Sequence, residues 1–216
     1  MTVLKQLVSV SLSAFLITCT LVTTPVFADE QAPRNYVVVK TGIYNPTGDL
    51  DEFDTGLNIE GVFGRYFHKN FALEGGIGLF GTKADFSGTN ATLGTYIEND
   101  EIAVIPLTVT AKGILPLNKL ELFAGAGLGV YLAGFDGKLS TSNAGNITLN
   151  DNDTVLGFHV TAGGAYNFSE RFFFGIDGKY LSTEEATYQG AFLGQTLTVK
   201  GDLTGYTLNG FFGYRF

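Results

Sequence analysis

The chain has no tryptophan, one cysteine, one methionine and five prolines in 216 residues. One cysteine builds neither a disulfide framework nor a cysteine-based zinc site. Charge is scarce at 16% of residues, and basic charge scarcer still: 13 Lys and Arg against 21 Asp and Glu leave a formal net charge of −8. With a pI near 4.7 there is no basic face for phosphates, which excludes nucleic acid as a partner. Long apolar runs are missing too, with one exception at the start. Residues 7–26 are apolar, follow Lys5, and lead into Val26-Phe27-Ala28 and the acidic pair Asp29-Glu30. A basic start, an apolar middle and small residues before the cut read as a secretory signal over residues 1–28, cleaved between Ala28 and Asp29. Cys19 follows Thr18 rather than the small residue a lipoprotein signal uses, so residues 29–216 are expected as one domain without cysteine.

What is abundant is glycine and aromatics: 29 Gly, 19 Phe and 10 Tyr. Mean hydropathy is +0.19, although nothing after residue 28 approaches the ~18 apolar residues of a membrane-spanning helix. The apolar residues recur instead at every second position, the period of a strand. Eight strands are expected, over residues 35–45, 55–67, 71–83, 101–115, 119–135, 153–168, 171–183 and 201–216. Their connections alternate. The turns at His68-Lys69-Asn70, Pro116-Leu117-Asn118 and Ser169-Glu170 are tight, whereas 46–54, 84–100, 136–152 and 184–200 are long and polar. Such alternation suits an up-and-down antiparallel transmembrane barrel with both termini at the short-turn rim. At about 10 residues per tilted strand, eight strands fit the chain and sixteen do not.

Parity divides each strand. In the last, Tyr206, Leu208, Phe212, Tyr214 and Phe216 share one face, and Thr207, Asn209, Gly213 and Arg215 the other. In 119–135, Leu120, Leu122, Leu128, Val130 and Leu132 oppose Glu121, Gly125, Gly127 and Gly129. A soluble barrel with an apolar interior has the same period, so the glycines decide the phase. They relieve crowding inside a narrow barrel and have no such purpose on a solvated surface. The bulky apolar face is therefore expected outward in lipid, where a mid-membrane charge would cost roughly 2–4 kcal/mol. Arg65 breaks the parity close to the short-turn rim, where it can snorkel to the interface. Pro106 is expected to mark a bulge. Interfacial aromatics are expected at Tyr36, Phe71, Phe168, Phe172, Tyr214 and Phe216 on the short-turn side, and at Phe135 and Tyr180 on the other.

The signal ending Val26-Phe27-Ala28, the opening strand Tyr36-Val37-Val38-Val39-Lys40-Thr41-Gly42, the eight-strand rhythm and the ending Gly210-Phe211-Phe212-Gly213-Tyr214-Arg215-Phe216 resemble the small bacterial outer-membrane β-barrels of the A, X and W types. The resemblance covers residues 29–216. It implies a Gram-negative outer membrane with its lipid and lipopolysaccharide as surroundings, periplasmic termini and extracellular loops. It also implies that Phe212, Tyr214 and Phe216 are the signal read by the barrel-assembly machinery. The chain looks closest to the W-like and X-like members, because no peptidoglycan-binding domain follows Phe216.

Lys40, Glu60, Glu74, Lys112, Glu121, His159, Asp177, Lys179 and Arg215 fall on the inward parity. The expectation is an ion-paired core that fills the lumen; the alternative is a conduction path with charged constrictions. Phe80, Phe123, Tyr131, Phe173 and Phe211 also face inward and would close the lumen or line a narrow apolar passage. The resemblance includes lipid A deacylases, which use a His-x-Ser arrangement near the last strand. Here no Ser follows Ser182 and no His follows His159, so an enzyme is not expected. Asp49, Asp51, Glu52 and Asp54, or Asp136, Asp151 and Asp153, could gather a divalent cation, but they lack the glycine placement of an EF-hand loop. They are expected to be solvated, with no metal and no cofactor. The expected function is that of a monomeric barrel with a structural or surface role and a W-like narrow passage for small hydrophobic molecules. The alternative is X-like surface adhesion through the external loops, and a lipid-modifying enzyme is a distant third.

Overall fold

A computed structural model describes residues 35–90, 94–143, 145–192 and 195–216; the expected signal segment and the expected cleavage between Ala28 and Asp29 lie outside the described residues. Ten strands form: β1 Asn35–Pro46, β2 Gly56–His68, β3 Phe71–Asn90, β4 Gly94–Leu117, β5 Leu120–Thr141, β6 Gly145–Asn167, β7 Phe172–Thr183, β8 Glu185–Phe192, β9 Gln195–Asp202 and β10 Gly205–Arg215. Eight of them close a barrel in the order β1-β10-β7-β6-β5-β4-β3-β2, with every neighbouring pair antiparallel. β8 and β9 form a separate hairpin between β7 and β10. Closure leaves the barrel without an edge strand, the condition for a sheet to sit in lipid with every backbone group paired.

The three tight turns and both barrel ends lie at one rim, where the Asn35 amide donates to the Phe216 carbonyl (3.1 Å). The other rim differs from the expected loops. Residues 84–90, 94–100, 136–141 and 145–152 continue as strand, so β3 to β6 rise as a tall wall of 20, 24, 22 and 23 residues. Their alternation persists with Thr, Asn and Ser in place of Leu and Phe, a polar pattern that reads as loop by composition yet pairs as well as any strand. Residues 184–200 mostly form the β8–β9 hairpin, which lies against β6. Residues 46–54 hold a short 3₁₀ turn, Gly48–Leu50, with Leu50 buried.

Outside, Leu57, Ile59, Leu128, Leu156, Phe158, Ile176, Leu208 and Phe212 all lie more than half exposed, an apolar belt. Along β5 and β6 the belt ends sharply: above Leu132 and Leu156 the outward residues become Gly134, Asp136 and Lys138, and Thr154, Asn152 and Asn150. Phe168, Phe172, Phe174, Phe212, Tyr214 and Phe216 form a contiguous aromatic band at the short-turn rim. Tyr180 and Tyr206 sit directly opposite one another near the upper edge of the belt.

Two girdle assignments are corrected. Tyr36 is 3% and Phe135 6% exposed, both pointing into the barrel. Tyr36 shares the parity of Lys40, and Phe135 that of Tyr131; strand alternation overrides position along the strand. Pro106 is no bulge either. The β3–β4 register is the same on both sides of it, but Gly78 and Leu79 make no ladder partners with Pro106 and Ile105. The one register shift of β2–β3 falls instead between Tyr66 and His68.

Inward glycines sit where rings need room. Tyr36 is the register partner of Gly64, Phe173 of Gly213, Phe211 of Gly175 and Phe123 of Gly163. In each pair a Cβ on the glycine would collide with the ring. The outward Gly75 and Gly210 would meet nothing within 4 Å.

Candidate functional site

The lumen is built in layers from every one of the eight barrel strands, because the polar parity of each strand points inward at the same height. Nearest the short turns, Arg215 (β10) donates through Nη2 to both oxygens of Glu121 (β5) at 2.9 and 3.1 Å and through Nη1 to Asn167 Oδ1 at 2.7 Å. Its guanidinium also lies 4.2 Å from the Phe173 ring centroid. One layer up, Glu74 (β3) accepts from Tyr36 OH at 2.6 Å and from Lys112 Nζ (β4) at 2.5 Å. Lys112 in turn stands 4.1 Å over the Phe123 ring.

The central layer joins β1, β2, β7 and β10. Lys40 reaches Asp177 at 2.5 Å and Glu60 at 3.8 Å, and Lys179 donates to both Glu60 oxygens at 2.7 and 2.8 Å. Asn209 donates to Asp177 (2.9 Å) and accepts from Asn58 (2.7 Å). Beside it His159 (β6) is fully buried and shares a hydrogen bond of 2.8 Å between Nε2 and Thr110 Oγ1. All nine inward candidates are thus brought into one column, and the pairs are Lys40 with Asp177 and Glu60, Lys179 with Glu60, Lys112 with Glu74, and Arg215 with Glu121. Buried charges persist only when so matched. Asn58, Thr110 and Tyr66 belong to the same column; the parity that singled out their charged neighbours would have found them.

Apolar layers cap the column. Tyr36, Val38, Val62, Ile114, Phe173 and Phe211 surround its lower half, and Tyr44, Phe80, Ile102, Val104, Tyr131, Phe135 and Val155 lie above it. The space left between the lower layers is about 30 Å³, room for only one or two waters. The lumen is a packed core.

Above this floor, between the tall wall, the 3₁₀ turn and the β8–β9 hairpin, opens a vestibule of about 300 Å³. Leu50, Phe53, Ile102, Phe135, Leu149 and Leu203 give it apolar sides, and Glu98 and Asp100 of β4 stand in its wall. Burial raises the Asp100 carboxyl to about 6, and the nearby Glu98 adds to the effect. Tyr188 is 3% exposed, stacks on Phe135 and has no hydrogen-bond partner for its hydroxyl. The acidic residues considered as cation ligands act differently. Asp153 accepts from the Thr187 amide and Asp151 from the Gln189 amide, both at 2.7 Å, pinning β8 to the wall. Asp49 accepts from the Asp202 amide at 3.2 Å. Among the described residues no three or more His, Cys, Asp or Glu converge as a metal site. Strand parity brings Glu98, Asp100, Ile102 and Phe135 to the vestibule, but no barrel-strand periodicity marks Leu50, Tyr188 and Leu203, which come from connections.

Residues 14–216 match the model of a protein family described as the outer membrane protein beta-barrel domain. Among solved structures, the outer membrane protein OprG from Pseudomonas aeruginosa aligns at 16% identity with a TM-score of 0.58, over 86% of this chain and 97% of that one. Neisserial surface protein A aligns at 12% identity with a TM-score of 0.51, over 84% and 97%. At such identities the likeness is one of fold alone. No curated protein sequence matches the chain.

Proposed function

Because the chain belongs to the outer membrane β-barrel family, we propose that it is a monomeric, non-catalytic barrel that admits small apolar molecules at its external end and releases them sideways into the bilayer. In this reading the short turns and termini are periplasmic and the tall hairpins stand outside. Phe212, Tyr214 and Phe216, on the outward face of the final strand, are presented to the barrel-assembly machinery during insertion. The belt above them faces lipid and lipopolysaccharide.

The observation that carries the reading is the seam at Pro106. An apolar molecule in the vestibule meets a floor of paired charges that leaves about 30 Å³ of space, so the direct route is closed. At that height the β3–β4 ladder is interrupted for two residue pairs, Gly78–Pro106 and Leu79–Ile105. Pro106 has no N–H to offer the ladder, and its ring lies against Gly78, where a Cβ would stand 3.3 Å from Pro106 Cγ. Parting β3 and β4 here disturbs fewer ladder pairs than elsewhere along their length. His159 supports the non-catalytic part: it is wholly buried against Thr110, away from any surface a substrate could reach.

Pro106→Val, which restores the donor, tests the passage. The variant should keep the heat-modifiable gel mobility of a folded barrel and lose uptake of an apolar fluorescent dye into proteoliposomes. Unchanged uptake, or steady ion conductance of the native barrel in planar bilayers, would overturn it. A second reading, surface interaction, is favoured by the open polar face of the tall hairpin, where Lys138, Ser140, Asn146, Thr148 and Asn150 point outward. Replacing the outward Ser140, Asn146, Thr148 and Asn150 with alanine should abolish any cell-surface binding while leaving dye uptake in place.

A further inference from the structure

We propose that the vestibule selects cationic amphiphiles, molecules with an apolar body and a single basic nitrogen; this rests on the vestibule being the entry site. Its volume of about 300 Å³ is at the small end of ligand pockets, which combine apolar walls with few polar groups. Here the polar groups favour one sign. Glu98 and Asp100 are two residues apart on β4, so both project inward, opposite Leu139 and Gly137 of β5. With no side chain at Gly137 the Asp100 carboxylate lies over that backbone, where a Cβ would stand 3.0 Å from its Oδ1. Among the described residues neither carboxylate has a hydrogen bond or a salt bridge.

Two lysines also belong to the lining, and both are paired with acids outside it. Lys138 pairs with Asp136 at 3.5 Å and Lys200 with Glu185 at 3.7 Å, both lysine side chains more than half exposed. The third acid of the lining, Asp49, is exposed and bound to the Asp202 amide. Tyr188 also lines the vestibule, and its buried hydroxyl is without a hydrogen-bond partner, which is rare for such a group. Its ring, stacked on Phe135 at 5.3 Å, adds aromatic surface to the apolar lining against which the body of an amphiphile would pack. An anionic amphiphile would meet Glu98 and Asp100 without a free lysine to offset them. Asp100 titrates at about 6, so binding should weaken as the solution is acidified through that range while the amine itself stays charged.

The test uses the full barrel in lipid nanodiscs and three water-soluble probes with one body: phenylbutylamine, phenylbutanol and phenylbutyrate, titrated by calorimetry with amide chemical shifts locating the site. At neutral pH the amine should bind roughly tenfold tighter than the alcohol, a ratio equal to ~1.4 kcal/mol, and the carboxylate weakest. In the Glu98→Gln/Asp100→Asn variant the amine should fall to the level of the alcohol, whose own affinity is unchanged. Equal affinities of amine and alcohol for the native barrel would overturn the charge preference and leave the vestibule reading standing. Binding of none of the three would overturn both.

Discussion

Glu60→Gln removes one charge and no volume, which makes it a direct probe of the closed lumen. Glu60 is 4% exposed, accepts two hydrogen bonds from Lys179 and faces Lys40 at 3.8 Å. Lys40 would retain Asp177 at 2.5 Å, so the ammonium left alone is that of Lys179, whose side chain is 10% exposed. Breaking a buried pair and orphaning one partner costs about 3–5 kcal/mol. Glu60→Gln/Lys179→Met leaves no orphan and should return to within about 1 kcal/mol of the native barrel, a coupling of at least ~2 kcal/mol between the sites. The barrel has no tryptophan, so folding into thin-bilayer vesicles is followed by circular dichroism and gel mobility across a guanidinium titration. Coincident transitions justify the linear extrapolation. If Glu60→Gln cost less than ~0.5 kcal/mol, the range of exposed ion pairs, water would be reaching the cluster and the closed lumen would be wrong.

Three further outcomes follow from the two faces and the rim. Leu128 is 71% exposed to the outside at mid-strand, so Leu128→Arg should cost roughly 2–4 kcal/mol in the same assay. Its inward neighbour fails differently: a side chain at Gly127 collides with the Val109 carbonyl and lies 2.6 Å from His159 Nε2, so Gly127→Leu should not yield the folded gel species at all. Asp100 has a folded value of about 6 against an ordinary 3.8. Folding therefore favours its protonated form, and that contribution is present below about 3.8 and lost as pH rises through about 6. A carbon-13 titration of the Asp100 carboxyl checks the value, and Asp100→Asn should flatten the stability slope in that window. An ordinary titration point would refute the burial argument.

The resemblance noted in the C-terminal aromatics and the strand rhythm is matched by the family, and the inward column follows from parity. Alternation is a local property: once β5 places Glu121 inward, Tyr131 and Phe135 must follow, and treating Phe135 as interfacial ignored that rule. The polar extensions of β3 to β6 were illegible because composition, unlike pairing, changes at the membrane surface.

Sequence alone determined the eight strands of the barrel, the parity that divides their two faces and the charged residues that enter the lumen, because strand geometry dictates side-chain direction. Only the tertiary structure decided which charges meet. Lys40 and Asp177 stand 137 positions apart, and their contact depends on closure of the ring through β10. Closure likewise decided that the lumen is filled and that three connections help to enclose a vestibule above it.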